Sequence, residues 1–149
     1  MLACNIAYQS VIEGHTALFV TAAQMLSDLA SQESDNALRR RMKYYINPTC
    51  LIIDELGYLS YSNRHADLLF EVITRRYEAK PTVITTNKPF VEWQDIFPNA
   101  SCLVSIIDRL VHHSEILNIK AESYRLKEAK EKNQVRKVKR NKSKTNTTC

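Results

Sequence analysis

Residues 50–55 read Cys50-Leu51-Ile52-Ile53-Asp54-Glu55, an unbroken apolar run that ends in two adjacent carboxylates. A continuous run of this kind, without polar alternation, fits a strand covered on both faces in a parallel sheet. Acids at its final positions bring charge to the carboxyl edge of the sheet, where open α/β folds gather their ligands. A second β-branched run, Thr82-Val83-Ile84-Thr85-Thr86, follows Pro81 and ends on Asn87, so a polar amide is expected at the same edge.

Working outward, 57–63 reads as the loop leaving the first of these strands. Ala66, Leu69, Phe70, Ile73 and Tyr77 then share one helix face. Upstream, 2–13 reads as a helix closed by Gly14, and 16–20 as a short buried strand. Thr21 with Gln24 has the form of a capping box, and Ala22, Met25, Leu26, Leu29 and Ala30 continue as one buried helix face. Asp35 or Asn36 is placed to cap the next helix, which carries Leu38, Met42 and Ile46 on one side and Arg39, Arg40, Arg41 and Lys43 around the rest until Pro48 stops it. Downstream, Phe90, Trp93 and Phe97 read as a packed aromatic cluster rather than a base-stacking platform. Ser101 stands where a cap belongs for a helix bearing Leu103, Ile106, Ile107, Leu110 and Val111, and 115–119 reads as a last strand. Strands separated by helical segments throughout define an α/β fold with a mainly parallel sheet.

The 149 residues are 44% apolar and 25% charged, the balance of one globular domain with a tail. No apolar stretch reaches the roughly 18 to 20 residues that span a bilayer. The first residues also lack the basic start and apolar run of a secretory leader, so a cytoplasmic setting without membrane partners is expected. Cys4, Cys50, Cys102 and Cys149 are scattered, form no C-x-x-C pair and read as reduced thiols. His112 and His113 are adjacent; on a helix such neighbours diverge by about 100°, so they are expected to face solvent or a partner rather than share one ion. The net charge of +5 is unevenly distributed. Residues 120–149 hold eleven Lys/Arg against three Asp/Glu, whereas 1–119 hold ten against thirteen. We therefore expect a folded part over 1–127 and a basic, disordered tail over 128–149. The tail, with Arg136, Lys137, Lys139 and Arg140, reads either as a segment that neutralises DNA phosphates in a salt-sensitive way or as a solvated chain with no ligand.

The acid pair suggests a specific chemistry. A first carboxylate at a strand end can hold hydrated Mg²⁺ through the ion's water shell, and the next can orient or deprotonate an attacking water, which is the arrangement of a Walker B pair. The bland alternative is a strand ending in two solvated acids. Asn87 stands where a sensor 1 amide would align that water, or else it serves a turn together with Pro89.

The stretch LIIDELGYLSYSNRHADLLFEVITRRYEAKPTVITTNKPFVEWQDIF, followed by IIDRLVHHSEIL and AESYRLKE, resembles the IstB-type ATP-binding proteins of insertion sequences, relatives of the DnaC helicase loaders within the AAA+ class. The resemblance runs from about Leu2 to Glu128. It implies a P-loop NTPase type of parallel sheet with flanking helices, ATP and Mg²⁺ as cofactors, and DNA, a transposase and further copies of the protein as partners. Asp54 and Glu55 resemble the Walker B acids, with Asp54 reaching Mg²⁺ through water, and Asn87 resembles sensor 1. Arg109, in Ile107-Asp108-Arg109-Leu110, resembles the arginine finger inserted into a neighbouring subunit's nucleotide site. Arg125, in Ser123-Tyr124-Arg125, resembles the sensor 2 arginine that contacts nucleotide. A guanidinium offsetting charge on the transferred phosphate is worth roughly 10³- to 10⁵-fold in rate where it is known. Taken alone, Arg109 reads equally as an exposed helix residue paired to a local acid, and Arg125 as a tail charge.

One element of the class does not occur. The chain has two glycines, Gly14 and Gly57, and no G-x-x-x-x-G-K-[ST] loop to wrap phosphates. By the resemblance that loop precedes the segment beginning at Leu2, so the sequence reads as truncated there, without strand 1 of a sheet ordered 5-1-4-3-2. The four strands read here are then strands 2 to 5. Strand 5 is expected either to move by about 5 Å to meet strand 4 or to face a gap, lowering the stability of the isolated chain. Three functions follow as expectations: an ATP-dependent helper of DNA transposition, a nucleotide-dead remnant that binds DNA or a sister protein through its tail and its Arg109 face, or a DnaC-like helicase loader. The HHSEIL and ESYRLKE segments resemble the transposition branch.

Overall fold

The computed structural model describes residues 2–119. Its central strand, β2 (Cys50–Leu56), lies between β1 (Ala17–Thr21) and β3 (Thr82–Thr86) in a parallel three-stranded sheet of order β1-β2-β3. The order agrees with the strand 2-3-4 portion of the sheet that the resemblance implies. Ala17 faces Cys50 across the first ladder and Leu51 faces Thr82 across the second.

Side-chain alternation along β2 divides the core. Leu51 and Ile53 enter the larger cluster, whereas Cys50 and Ile52 point to the other face and pack with Ala3, Ala7, Ala17 and Val83. The second face is covered by α1 (Leu2–Ile12), which ends at Gly14 with φ +83°. The larger cluster draws on α2 (Ala22–Ala30), α3 (Asp35–Ile46), α4 (Asn63–Arg76), the short α5 (Trp93–Ile96) and α6 (Leu103–His112). The helices of both crossovers, β1 to β2 and β2 to β3, contribute to this cluster.

The local signals mostly act as read. Thr21 and Gln24 form the capping box at the start of α2. Trp93 and Phe97 are buried, and the Trp93 indole N–H donates to the Lys88 carbonyl at 3.2 Å. Two caps differ from expectation. α3 is capped by Ser34, whose hydroxyl accepts from the Ala37 N–H at 3.2 Å, so Asp35 is already inside the first turn. α6 begins after Cys102 without a side-chain cap, so Ser101 does not serve as one.

The expected last strand over 115–119 is a correction. The chain leaves α6 at His113, and 114–119 carry no regular structure; Ile116, Leu117 and Ile119 are exposed. β-Branched and apolar residues form a strand only when they pair with another, so strand composition over 115–119 is not sufficient by itself.

One buried group was not foreseen. Arg76, the last residue of α4, is 1% exposed, and its guanidinium meets carbonyls and a hydroxyl rather than a carboxylate. Nε donates to Thr82 Oγ1 at 2.9 Å, Nη1 to the carbonyls of Ile46 and Pro48 at 2.8 Å each, and Nη2 to those of Thr49 at 3.1 Å and Pro81 at 2.7 Å. Burial pulls its pKa down, yet a guanidinium stays protonated and all its donors remain available. The Lys80 ammonium adds bonds to Ile46 and Asn47 at 3.2 and 2.6 Å. Together they close the C-terminal end of α3, where unpaired carbonyls carry partial negative charge. Replacing Arg76 with Met keeps the apolar stem but strands these carbonyls. R76M should lose about 3 kcal/mol or more in urea unfolding; a loss below about 1 kcal/mol would show that the guanidinium is dispensable.

Candidate functional site at the carboxyl edge of the sheet

The two acids at the end of β2 sit in a β-bulge. Ile53 pairs with Ile84 and Leu56 with Thr86, so Asp54 and Glu55 together oppose the single residue Thr85. Glu55 takes the left-handed conformation, φ +61°, which costs a non-glycine residue about 1–2 kcal/mol. Inserting one residue reverses the parity of everything after it. Leu56 therefore enters the same core cluster as Leu51 and Ile53, while Glu55 is released to solvent and Asp54 stays half-buried.

Thr85 holds this geometry. Its hydroxyl accepts from the Glu55 N–H at 3.0 Å and donates to Asp54 Oδ1 in a short hydrogen bond. A single side chain on β3 thus fixes the carboxylate of one acid and the backbone of the next. Among the described residues no ion pair engages either Asp54 or Glu55, so their carboxylate oxygens keep lone pairs free to accept. Hard oxygen donors of this type suit Mg²⁺, which retains most of its own waters and takes one or two carboxylates.

Asn87 reaches the same edge from β3. A Cβ built on Gly57 would stand 2.7 Å from Asn87 Oδ1, 3.1 Å from Thr86 Oγ1 and 3.2 Å from a methyl of Ile96. Gly57, two residues after Glu55, is thus the contact that lets the turn after β2 close on the turn after β3. Its φ of +110° makes the same demand on the backbone. The turn after β3 is itself anchored, since Thr86 Oγ1 accepts the Lys88 N–H at 3.1 Å and Lys88 Nζ lies 3.3 Å from Asp95.

Arg109 is not gathered to this edge. It lies along the seam between α6 and α4, half-buried, with Nη1 donating to the Ser105 carbonyl at 3.1 Å and its guanidinium 4.7 Å above the Phe70 ring. The expected ion pair with a nearby acid does not form among the described residues, so the charge is stabilised by a carbonyl and an aromatic face. Arg125, Arg136, Lys137, Lys139 and Arg140 lie outside the described residues.

Residues 1–132 match the family of IstB-like ATP binding proteins. The chain belongs to that family. It is 40% identical over 127 residues to an insertion sequence IS5376 protein of Geobacillus stearothermophilus named for ATP binding, covering 85% of this chain and 51% of that relative. It is 39% identical over 127 residues to the corresponding IS21 protein of Pseudomonas aeruginosa, covering 85% and 48%, and 34% identical over 127 residues to that of IS232 from Bacillus thuringiensis subsp. berliner, covering 85% and 51%. The chain spans about half the length of these curated relatives. No described helix is long and apolar enough to cross a membrane.

Within this IstB-like chain, sequence reasoning missed Thr85 and the need for Gly57. The signal for Thr85 was its position, one residue inside a strand whose neighbour ends in acids, but nothing local distinguishes it from Thr86. Thr85→Val keeps the shape and removes the hydroxyl, and should cost about 1–2 kcal/mol by urea unfolding. Thr85→Ser should recover most of that loss, and equal stability of the two variants would mean the hydroxyl holds nothing. Gly57→Ala should cost about 1–3 kcal/mol because it combines backbone strain with the Asn87 clash; a wild-type melting temperature would show that the turn opens freely.

Proposed function

We propose that this chain supplies the water-activating and sensing side of an IstB-type ATPase that works with a transposase on DNA in the cytoplasm. The observation that carries the reading is the Thr85-held bulge, which leaves Asp54 and Glu55 without an ion pair among the described residues at one sheet edge, with Asn87 closing on the adjacent turn. Asp54 would hold Mg²⁺ through its water shell, Glu55 would take the proton of an attacking water, and Asn87 would orient that water by its amide. Bound Mg²⁺-ATP supplies the phosphoryl group and the charge neutralisation its transfer requires. The Thr85 hydroxyl keeps Asp54 aimed and acts as a positioning residue. Arg125 contacts nucleotide as a sensor 2 arginine, and Arg136, Lys137, Lys139 and Arg140 contribute phosphate contacts to DNA. Relatives named for insertion sequences favour transposition over helicase loading.

The second reading is favoured by Arg109. Its position on the α4–α6 seam, bonded to the Ser105 carbonyl and set over the Phe70 ring rather than paired with Asp54 or Glu55, suits a guanidinium that completes the nucleotide site of a neighbouring copy or an intact homologue. Residues 1–149 contain no phosphate-wrapping loop, so on this reading they contribute a guanidinium to a site whose phosphate cradle lies outside them.

Two measurements separate these roles. Titrating the chain alone with a fluorescent ATP analogue and Mg²⁺ should give no saturable binding in the micromolar range; a micromolar, Mg²⁺-dependent affinity would overturn the requirement for a phosphate loop. Adding the chain to an IstB-type ATPase whose own finger arginine has been replaced by Gln should restore hydrolysis by about 10-fold or more. Equal rescue by Arg109→Gln would remove Arg109 from the mechanism.

A further inference from the structure

The two histidines at the end of α6 come together although helical adjacency would splay them. His112 is the last helical residue, and His113 has already left the helix at φ −132°, ψ 40°, so the roughly 100° divergence of helical neighbours no longer applies. Their ring centroids lie 4.1 Å apart. Across from them, in the turn after α4, Glu78 Oε1 is 2.9 Å from His113 Nε2, and the Tyr77 hydroxyl is 2.6 Å from His112 Nδ1. One ligand atom each from Glu78, His112 and His113 falls within 4.8 Å of the others.

We propose that Glu78, His112 and His113 form a binding site for a borderline divalent transition ion of the Zn²⁺ type. Two imidazoles and one carboxylate are the donor set of open, three-ligand zinc sites and fit poorly with Mg²⁺ or Ca²⁺, which take all-oxygen shells. The spacing needs little change. Ligands about 2.0–2.2 Å from a tetrahedral ion stand about 3.3 Å apart, so the His113–Glu78 pair opens by a few tenths of an ångström as the ion replaces the shared proton. The third ligand closes by up to about 1.5 Å, a movement within the rotamer freedom of exposed side chains.

Two further features support a built site. The contact between Tyr77 and His112 Nδ1 gives that ring the outer-shell partner metal-binding histidines use: with Nδ1–H donating to the phenol oxygen, Nε2 presents its lone pair to the ion. Glu78 is one of three described non-glycine residues with positive φ, at +56°. Its turn is held by the N–H groups of Ala79 and Lys80, both donating to the Arg76 carbonyl at 3.0 Å, so the strained conformation rests on a fixed base. An open concavity lined by Thr74, Tyr77, Asp108, Arg109, Val111 and His112 borders the site on its His112 side. A bound ion ties the end of α6 to the turn after α4, one helical turn from Arg109.

The test is titration of the purified 149-residue chain with Zn²⁺ alone by calorimetry and with Co²⁺ alone by absorption. One equivalent of Zn²⁺ should bind with a Kd on the order of 1 μM and raise the melting temperature. Co²⁺ should give visible d–d bands without a thiolate charge-transfer band. His112→Asn, His113→Asn and Glu78→Gln should each weaken binding about tenfold or more, and Tyr77→Phe about tenfold, with unchanged far-UV circular dichroism. Three outcomes overturn the proposal: no saturable binding up to about 100 μM Zn²⁺, an affinity that survives the double change of both histidines, or a cobalt–thiolate band that moves the ion to the cysteines. Because all three ligands are exposed, their replacement leaves the core intact, and loss of binding reads out the site itself.

Discussion

A buried guanidinium held by carbonyls sets the geometry on which the rest of the sheet depends. Taking Arg76 out of water costs several kcal/mol, and among the described residues no carboxylate pairs with it. Carbonyls at the end of α3, in the 46–49 turn and at Pro81 do so instead, as charge-assisted hydrogen bonds that a lysine could not match in number or direction. Those carbonyls lead directly into β2 and β3. One side chain therefore sets the relative height of the two strands at their amino ends and, a few residues later, the register in which Asp54, Glu55 and Thr85 meet.

That register turns a structural irregularity into a site. In an unbulged strand Glu55 would share the inward face of Ile53, and a carboxylate would be forced toward the core. The extra residue exchanges Glu55 for Leu56 on that face, and the Thr85 hydroxyl satisfies the backbone the bulge leaves unpaired. Stability and chemistry share this cause: the leucine is buried because the glutamate is expelled. Gly57 then permits the two turns to touch, so the amide of Asn87 and the acids belong to one surface.

A second surface lies at the far end of α4. Arg76 ends that helix, its carbonyl accepts the N–H groups of Ala79 and Lys80, and the turn so formed presents Tyr77 and Glu78 to the histidines of α6. The same α4–α6 seam carries Arg109. The buried arginine thus connects the strand starts with the helix joint, through contacts that reach backbone carbonyls except for the one to the Thr82 hydroxyl.

Much of this was legible from the residues. The apolar run 50–53 marked the central strand, the β-branched run 82–86 marked its neighbour, the Thr21–Gln24 box started α2, and the acids and Asn87 were placed at the correct edge because strand direction alone puts them there. Readings that needed a partner surface fared differently. Residues 115–119 have strand composition but carry no regular structure, and Ser34 rather than Asp35 or Asn36 caps α3 because a cap is defined by which backbone N–H it reaches. Adjacent histidines were read with helical geometry, which ends between them. Periodicity and local hydrogen bonding are properties of a few consecutive residues, so sequence by itself determined the parallel α/β class, the polarity of its edge and the family. The burial of Arg76, the bulge held by Thr85 and the meeting of Glu78 with His112 and His113 join residues about 30 or more positions apart. Tertiary structure alone decided them, because the free energy of a buried charge or a convergent ligand set depends on which distant groups surround it.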